Sequence, residues 1–514
     1  MNRTLSTVRQ SSLIQALVLM LLLCLLPLQQ LRMPTAIFDQ DIWWHLSVGD
    51  WVLRNHAVPH TGLFSQVGAT RPWVAYSWGF EVTLASLNRW LGVKGLPIFE
   101  IAFGISFALL LFAILRKMTG SFWWAWLLTA AAIWSANLNL VGAGRPVTFS
   151  ILFFTIELAL VFRAQQTGDR RYLYWLLPLF ALWADFHIQF VYGFLLPGLM
   201  ALLATLDGWA TARSFSWWPI TERLRPFRPR FLWAIFSGCL LATLVNAYGI
   251  RLYGTVLTYA RSSAAYHIIN ELQAPNFRDS AHFLELLLVM TTFFLLGRRR
   301  IDVFKMVLIL IASMLAFRSV RDSWFLCVAA VIVIADSLPI NMTGREPDSE
   351  GAERSLTPLL RMGGAAVAGA ICIVALRGAD VGFSNKKLLQ MVHDNYPVDA
   401  VAYIHEHRPP GPLFNNFNWG GFLIVALPEY PVGIDGRNDL YGDDLLDREL
   451  KTIVADVWKT DPAVSRANLV LVPDTVPLCL ALKQSPDFKL VYSDKLALVF
   501  VRTGRSDEEV AQTN

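Results

Sequence analysis

The sequence predicts a mainly α, polytopic membrane protein of about eleven transmembrane helices, followed by a small α/β domain on the outer side of the membrane. Three observations predict it. The 514 residues are 55% hydrophobic and only 16% charged, with a mean hydropathy of +0.44, against roughly 25% charged residues in soluble domains. Apolar runs of about 17 to 25 residues, long enough to cross a hydrocarbon core, recur up to about residue 377. Beyond that point apolar content falls, and short β-rich runs alternate with helical ones.

The first apolar run, near 12–31, follows Arg3 and Arg9 as in a signal peptide, but it is long and lacks a small-x-small cleavage site, so it reads as an uncleaved span. Directly after it, residues 38–51 (FDQDIWWHLSVGDW) place Asp39 and Asp41, an imidazole and three tryptophans at a membrane edge. If Asp41 begins a short helix, His45 lies one turn on, on the same face. Trp43, Trp44 and Trp51 then suit the headgroup layer as amphipathic anchors. Taken alone, the same residues also fit an ordinary aromatic belt with Asp41 as a solvated helix N-cap. The stretch 76–90 reads as amphipathic and surface-lying. Further spans are predicted near 96–115, 121–138, 147–163, 172–187, 190–206, 231–248, 283–297, 301–317, 320–338 and 362–377.

Lys and Arg set the orientation. They concentrate in the segments on the N-terminal side, most clearly in Arg298, Arg299 and Arg300 and in the run Arg213, Arg223, Arg225, Arg228 and Arg230, which makes that side cytoplasmic. The first outer loop is then 32–95 within a transmembrane module 1–377, and 341–361 is a polar cytoplasmic loop. An odd number of spans puts 378–504 outside, and 505–514 reads as a disordered tail. Within the outer domain the expected order is a helical stretch 386–407, a strand 412–416, a strand 432–435, a helix 443–459, a strand 468–472, a helix 476–483, and a hairpin of 488–492 with 496–502.

Composition excludes several classes. The net charge of +5 lies in short loops beside apolar spans and forms no basic stripe interleaved with recognition residues, which argues against a nucleic-acid partner. Cys24, Cys239, Cys327 and Cys372 lie in apolar runs and leave Cys479 alone, so neither a disulfide framework nor a cysteine metal site is expected.

Ionisable groups at the centre of a span cost about 2.5 to 3.5 kcal/mol on insertion scales. Here they gather at the predicted outer ends: Asp185 and His187, Asn137 and Asn139 before Arg145, Asn246, then Arg318 and Arg321, with Arg251, Arg261, His267, Glu271 and Arg278 in the loop 249–282. Loop residues in water and snorkelling arginines give one reading. Against it, the positive-inside bias depletes arginine from short outer loops, and Arg145, Arg318 and Arg321 run counter to that bias. The planar fork of arginine suits a lipid phosphate, and a nearby carboxylate can take a proton from an incoming hydroxyl. If a sugar is joined to that phosphate, the arginines also stabilise the charge of the leaving group.

On these residues the chain resembles the membrane-embedded glycosyltransferases of the GT-C superfamily, which includes protein mannosyltransferases and bacterial aminoarabinose transferases. The resemblance covers the whole architecture. It is carried by the Asp-x-Trp-Trp-His-Leu motif at 41–46, by Pro72, Trp73 and Val74 with Trp78 and Glu81, by Asn246 to Gly249, by Glu271 to Pro275, and by Ile434, Asp435, Gly436 and Arg437 with Tyr441. It implies transfer of one sugar, with inversion, from an undecaprenyl- or related polyprenyl-phosphate donor to a glycan, lipid or protein acceptor on the outer face of a bacterial cytoplasmic membrane. By position Asp41 takes the role of base with Asp39 as its alternate, since Gln40 separates acids that are often adjacent in the superfamily. His45 orients Asp41 or binds the sugar, Glu81 shapes the acceptor side, Arg145, Arg318 and Arg321 hold the phosphate, and His187 and Glu271 line the cavity. The Trp-Trp-Asp-Tyr-Gly motif of oligosaccharyltransferases is absent, which disfavours en bloc glycan transfer. The outer domain binds acceptor or caps the cavity through Asp435, Arg437, Asn438 and Tyr441, or Asp435 and Arg437 pair to fix a turn. No cofactor is implied. Asp39, Asp41 and His45 are possible ligands for a divalent metal, which an arginine-held phosphate does not require. Two other classes remain: a transporter, which usually shows paired repeats and polar groups at the midplane, and a non-catalytic scaffold or sensor.

Overall fold

The computed structural model describes residues 14–24, 34–136, 144–215, 221–261, 270–298, 302–338 and 384–503. The predicted span 362–377, the loop 341–361, the tail 505–514, His267, Asn137 and Asn139 lie outside the described residues, as do the ends of the first span. The chain forms two compact units.

The first unit comprises Met1–Thr35, Pro97–Gly249 and Asn270–Ser384, and its described part is helical. Four described helices are long and apolar enough to cross a membrane: Trp78–Thr119, which runs on from the second unit, then Val147–Thr167, Phe190–Ala212 and Ser280–Gly297. Ile14–Cys24, Phe122–Ser135 and Pro229–Ala242 are apolar but shorter. Together they make this a multi-pass membrane protein. At its centre is helix Ser323–Ser337, in which every residue but Asp336 is buried. It packs against helices Phe122–Ser135, Val147–Thr167, Ser280–Gly297 and Val303–Arg318. Such an all-round apolar sequence is what a fully enclosed helix requires. Phe154 stacks on Phe325 with centroids 4.2 Å apart.

One polar cluster of this unit forms at helix ends. Lys305 Nζ lies 2.6 Å from Asp336 Oδ2, which also pairs with Arg223, while Gln166 Nε2 donates to Asp336 Oδ1 at 2.8 Å. The predicted topology assigns all four residues to the cytoplasmic ends.

The second unit comprises Ala36–Leu96, Ile250–Ile269 and Asn385–Asn514, so the first outer loop folds with the C-terminal region. Helix Ile42–Asn55 packs on helix Trp78–Leu91 and on helix Phe417–Ala426. A four-stranded sheet runs in the order β1 (Leu413–Asn415), β2 (Leu469–Pro473), β4 (Ala497–Arg502), β3 (Phe488–Ser493), with β1 parallel to β2 and the other pairs antiparallel. Leu413 faces Leu469, and Val470 faces Phe500. Phe414, Val470, Val472, Leu478, Leu482 and Phe500 form its core.

Several elements differ from the sequence reading. Residues 432–435 are not a strand: Val432 makes only an isolated bridge to Ser65, and Pro431 and Gly433 flank it. Helix Phe417–Ala426 was not expected, because two glycines interrupt its pattern. The helical stretch 386–407 is two helices, Asn385–Asn395 and Val398–His407, parted at Pro397, whose ring cannot continue a helix interior. The helix from Asp443 ends at Ile453. The 76–90 stretch does not lie on the surface throughout, since Phe80, Glu81, Leu84 and Ala85 of helix Trp78–Leu91 are buried. Trp43 and Trp44 are buried as well, not set in headgroups: Trp43 meets Tyr396 and Phe422 edge-on at 5.5 and 5.6 Å.

Candidate active site

In the second unit Asp41 stands at the N-cap of helix Ile42–Asn55, but its carboxylate makes no capping bond. Oδ1 instead accepts from Trp44 Nε1 at 3.1 Å, the i, i+3 neighbour one turn along. Asp39 Oδ1 accepts the Asp41 backbone N–H at 3.0 Å. Both carboxylates are half-buried and Gln40 is exposed, so the acidic turn is reachable from solvent.

His45 is 3% exposed and Glu81 fully buried. His45 Nδ1 lies 3.2 Å from Glu81 Oε1, which also accepts from Ser77 Oγ at 3.0 Å. The imidazole is sandwiched by Trp44, at 3.6 Å between centroids, and Phe80, edge-on at 5.2 Å. The ring that was expected to orient Asp41 is therefore bonded to Glu81, and it meets the Asp41 turn through its own backbone N–H, which donates to the Asp41 carbonyl at 3.1 Å.

Asp435 and Arg437 carry side chains with 0% exposure each and pair at 2.6 Å. Tyr441 donates its hydroxyl to Asp435 Oδ2 at 2.7 Å, and Arg437 Nη2 donates to the Leu63 carbonyl at 2.8 Å. Burial alone would lower the pKa of Arg437; the Asp435 carboxylate beside it reverses that and keeps the guanidinium charged. Of the two readings of these residues, the geometry realises the pairing one. Next to them is a carboxylate that the sequence reading did not single out. Asp439 accepts from Trp73 Nε1 at 3.0 Å and from Tyr259 at 3.4 Å, and burial pushes its carboxyl up to about 6. Its dense charged neighbourhood at 435–439 is the one sequence signal it carried.

In the first unit Arg145 donates through Nη1 to both oxygens of Glu271, at 2.9 and 2.7 Å, and Arg321 Nη2 donates to Oε2 at 3.2 Å. Their side chains are 27, 40 and 32% exposed, open enough to exchange partners with a ligand. Two guanidiniums around one carboxylate leave a formal charge of +1. Arg318 ends helix Val303–Arg318 and is exposed. His187 caps the C-terminus of helix Leu176–Phe186 in an extended conformation; its Nδ1 lies 2.7 Å from Ser150 Oγ, which accepts from Trp183 Nε1 at 2.7 Å. Arg145, Glu271 and Arg321, far apart in the sequence, thus meet around one carboxylate. Acids inside spans that went unnoticed include Glu100, Glu157, and Glu285 beside His282 Nδ1 at 3.0 Å. A carboxyl within an apolar run is the signal each carried. Among the described residues, no three of His, Cys, Asp and Glu assemble into a metal-ligand set.

Comparison with solved structures finds the same fold in an archaeal membrane transferase. The chain is similar to the archaeal oligosaccharyltransferase AglB from Archaeoglobus fulgidus in complex with an inhibitory peptide and a dolichol-phosphate, at TM-score 0.52 and 11% identity, over 96% of this chain and 74% of that one. The apo form of the Archaeoglobus fulgidus oligosaccharyltransferase matches at 0.51 and 10% identity, over 90% and 69%. ArnT from Cupriavidus metallidurans, bound to undecaprenyl phosphate, scores 0.46 at 12% identity, over 94% and 97%. No family model and no curated protein matches the sequence.

Proposed function

We propose that this chain is a membrane glycosyltransferase that moves one sugar from a polyprenyl-phosphate carrier to an acceptor hydroxyl on the outer face of a bacterial cytoplasmic membrane. The observation that carries the reading is the convergence of Arg145 and Arg321 on the single carboxylate of Glu271. This is a partly open, net-positive fork of the kind that grips phosphate, in a fold shared with an enzyme solved with dolichol-phosphate. In the reaction, the acceptor oxygen forms a bond to the anomeric carbon as the carbon–oxygen bond to phosphate breaks, with inversion. The acceptor proton passes to Asp41, and the lipid phosphate leaves with the bonding electrons. Arg145, Arg318 and Arg321 stabilise that charge, and Asp39 is the alternate base. His45 and Glu81 brace the turn that carries Asp41. His187 lines the phosphate side, and Asp435, Arg437 and Tyr441 shape the acceptor side from within the fold. The reading assigns no resident metal, so turnover should survive exhaustive chelation.

The test is release of sugar from undecaprenyl-phosphate hexoses by the purified full-length protein. Asp41→Asn should lower turnover by about 10²- to 10⁴-fold, the range for a general base, while leaving undecaprenyl phosphate binding intact. Full turnover in the folded variant would remove Asp41 as the base. A wild-type protein that hydrolyses none of the donors but exchanges free sugars across vesicles would be a transporter.

A further inference from the structure

The Asp41 carboxylate occupies a built seat whose far wall comes from the C-terminal region of its own unit. A Cβ placed on Gly436 would overlap Asp41 Oδ1 and crowd Trp44 Nε1, so the backbone at Gly436 touches the carboxylate directly. Gly436 lies between Asp435 and Arg437, the buried ion pair anchored by Tyr441 and by the Leu63 carbonyl. The Arg437 guanidinium lies over the Trp73 ring at 5.0 Å, and Trp73 meets Trp44 edge-on at 6.3 Å. A second close approach comes from helix Phe417–Ala426, where a Cβ on Gly421 would overlap the Gln40 carbonyl. A glycine within a helix costs about 1 kcal/mol against alanine, and here the contact with the Asp39–Asp41 turn explains its presence.

We infer that the 434–437 turn is a positioning device for Asp41, in which Gly436 and Trp44 fix the carboxylate and the Asp435–Arg437 pair fixes Gly436. The inference rests on the reading of Asp41 as the base. It gives the sealed ion pair a role in the reaction without contact to substrate: it holds a backbone position against which a catalytic side chain is set. Geometry held by packing and outer hydrogen bonds is what a reacting carboxylate needs, since a displacement of about 1 Å can lower turnover by about 10²-fold.

The experiment compares Gly436→Ala, Trp44→Phe and Asp41→Asn in the full-length protein, with undecaprenyl-phosphate mannose and glucose as donors and undecaprenyl phosphate as binding probe. Turnover is normalised to bound lipid, so that a misfolded fraction does not count. Gly436→Ala should lower kcat by about 10²-fold and Trp44→Phe, which deletes one hydrogen bond, by about tenfold. In both, the KM for donor and the affinity for undecaprenyl phosphate should stay within about twofold, a split that loss of stability does not produce. If Gly436→Ala fails to fold, Trp44→Phe decides. Wild-type kcat in the glycine and tryptophan variants, with Asp41→Asn inactive, overturns the inference and leaves the base in place. Full activity of Asp41→Asn overturns the base reading itself.

Discussion

Glu271 is the residue on which two roles can be told apart. Its carboxylate lies against Arg145 and Arg321, where the proposed function seats the lipid phosphate, so Glu271→Gln should raise affinity for undecaprenyl phosphate. Arg145→Gln should weaken it by about tenfold, the value of one charge-assisted hydrogen bond. Isothermal titration with the lipid in detergent reads both signs, and two variants moving in the same direction would contradict the exchange. The Asp435–Arg437 pair belongs to stability as well as positioning. Removing one partner leaves the other buried and unpaired, so Asp435→Asn should cost about 3 to 5 kcal/mol, seen as a lowered Tm. Arg145 and Arg321 were legible in the sequence as arginines where the predicted outer loops should have few, and Glu271 as an acid in one of those loops. Gly436 and Asp439 were not, since a glycine reveals its function only when the atoms around its missing Cβ are known, and Asp439 becomes unusual only when Trp73 and Tyr259 close over it.

At the level of elements, β1, β2, the β3–β4 hairpin and most helices were legible from periodicity, and the failures have physical causes. Helix Phe417–Ala426 is too short and too glycine-rich to be stable alone. It is fixed by Asn416, whose side chain accepts from the Asn418 N–H at 3.0 Å, and by helix Ile42–Asn55, more than 350 residues earlier. The apolar run at 432–435 suggested a strand, but it is held by backbone bonds to Phe64 and Gln66 of the first loop, contacts that no local pattern encodes. Helix Asp443–Ile453 supplies a pH-dependent prediction. Glu449 on it is 8% exposed with Oε1 unpartnered, and burial, aided by the nearby Asp461 carboxylate, pushes it up to about 8 from an ordinary value of 4.5. A carboxyl with a raised folded pKa retains its proton in the native state, so its contribution is complete below pH 4.5 and lost as pH rises through 8. Wild type should lose stability across that window relative to Glu449→Gln, on the order of a few kcal/mol, seen as a falling Tm. Parallel curves for the two proteins from pH 4 to 9 would show that Glu449 does not titrate as its surroundings dictate.

For the whole molecule, sidedness is the property on which the proposed reaction depends, because a polyprenyl-phosphate sugar consumed outside must meet residues exposed outside. Within the first unit, Gln166, Arg223, Lys305 and Asp336 meet at one set of helix ends, and Arg145, Glu271 and Arg321 meet at another. The Lys and Arg rule assigns the first group to the cytoplasm and the second to the outside. Side-chain pairing adds an independent constraint: residues that share an ion pair share a side of the membrane. In a background with its cysteines replaced by serine, Arg278→Cys and Thr167→Cys, both at exposed positions, should therefore respond oppositely to a membrane-impermeant maleimide. Arg278→Cys should label in intact cells, and Thr167→Cys only after permeabilisation. The reverse pattern would turn the helical module over and place the arginine–glutamate cluster in the cytoplasm, where an outer-face lipid-linked donor does not reach. Labelling of both positions in intact cells would mean that an odd number of the spans predicted between Thr167 and Arg278 do not cross.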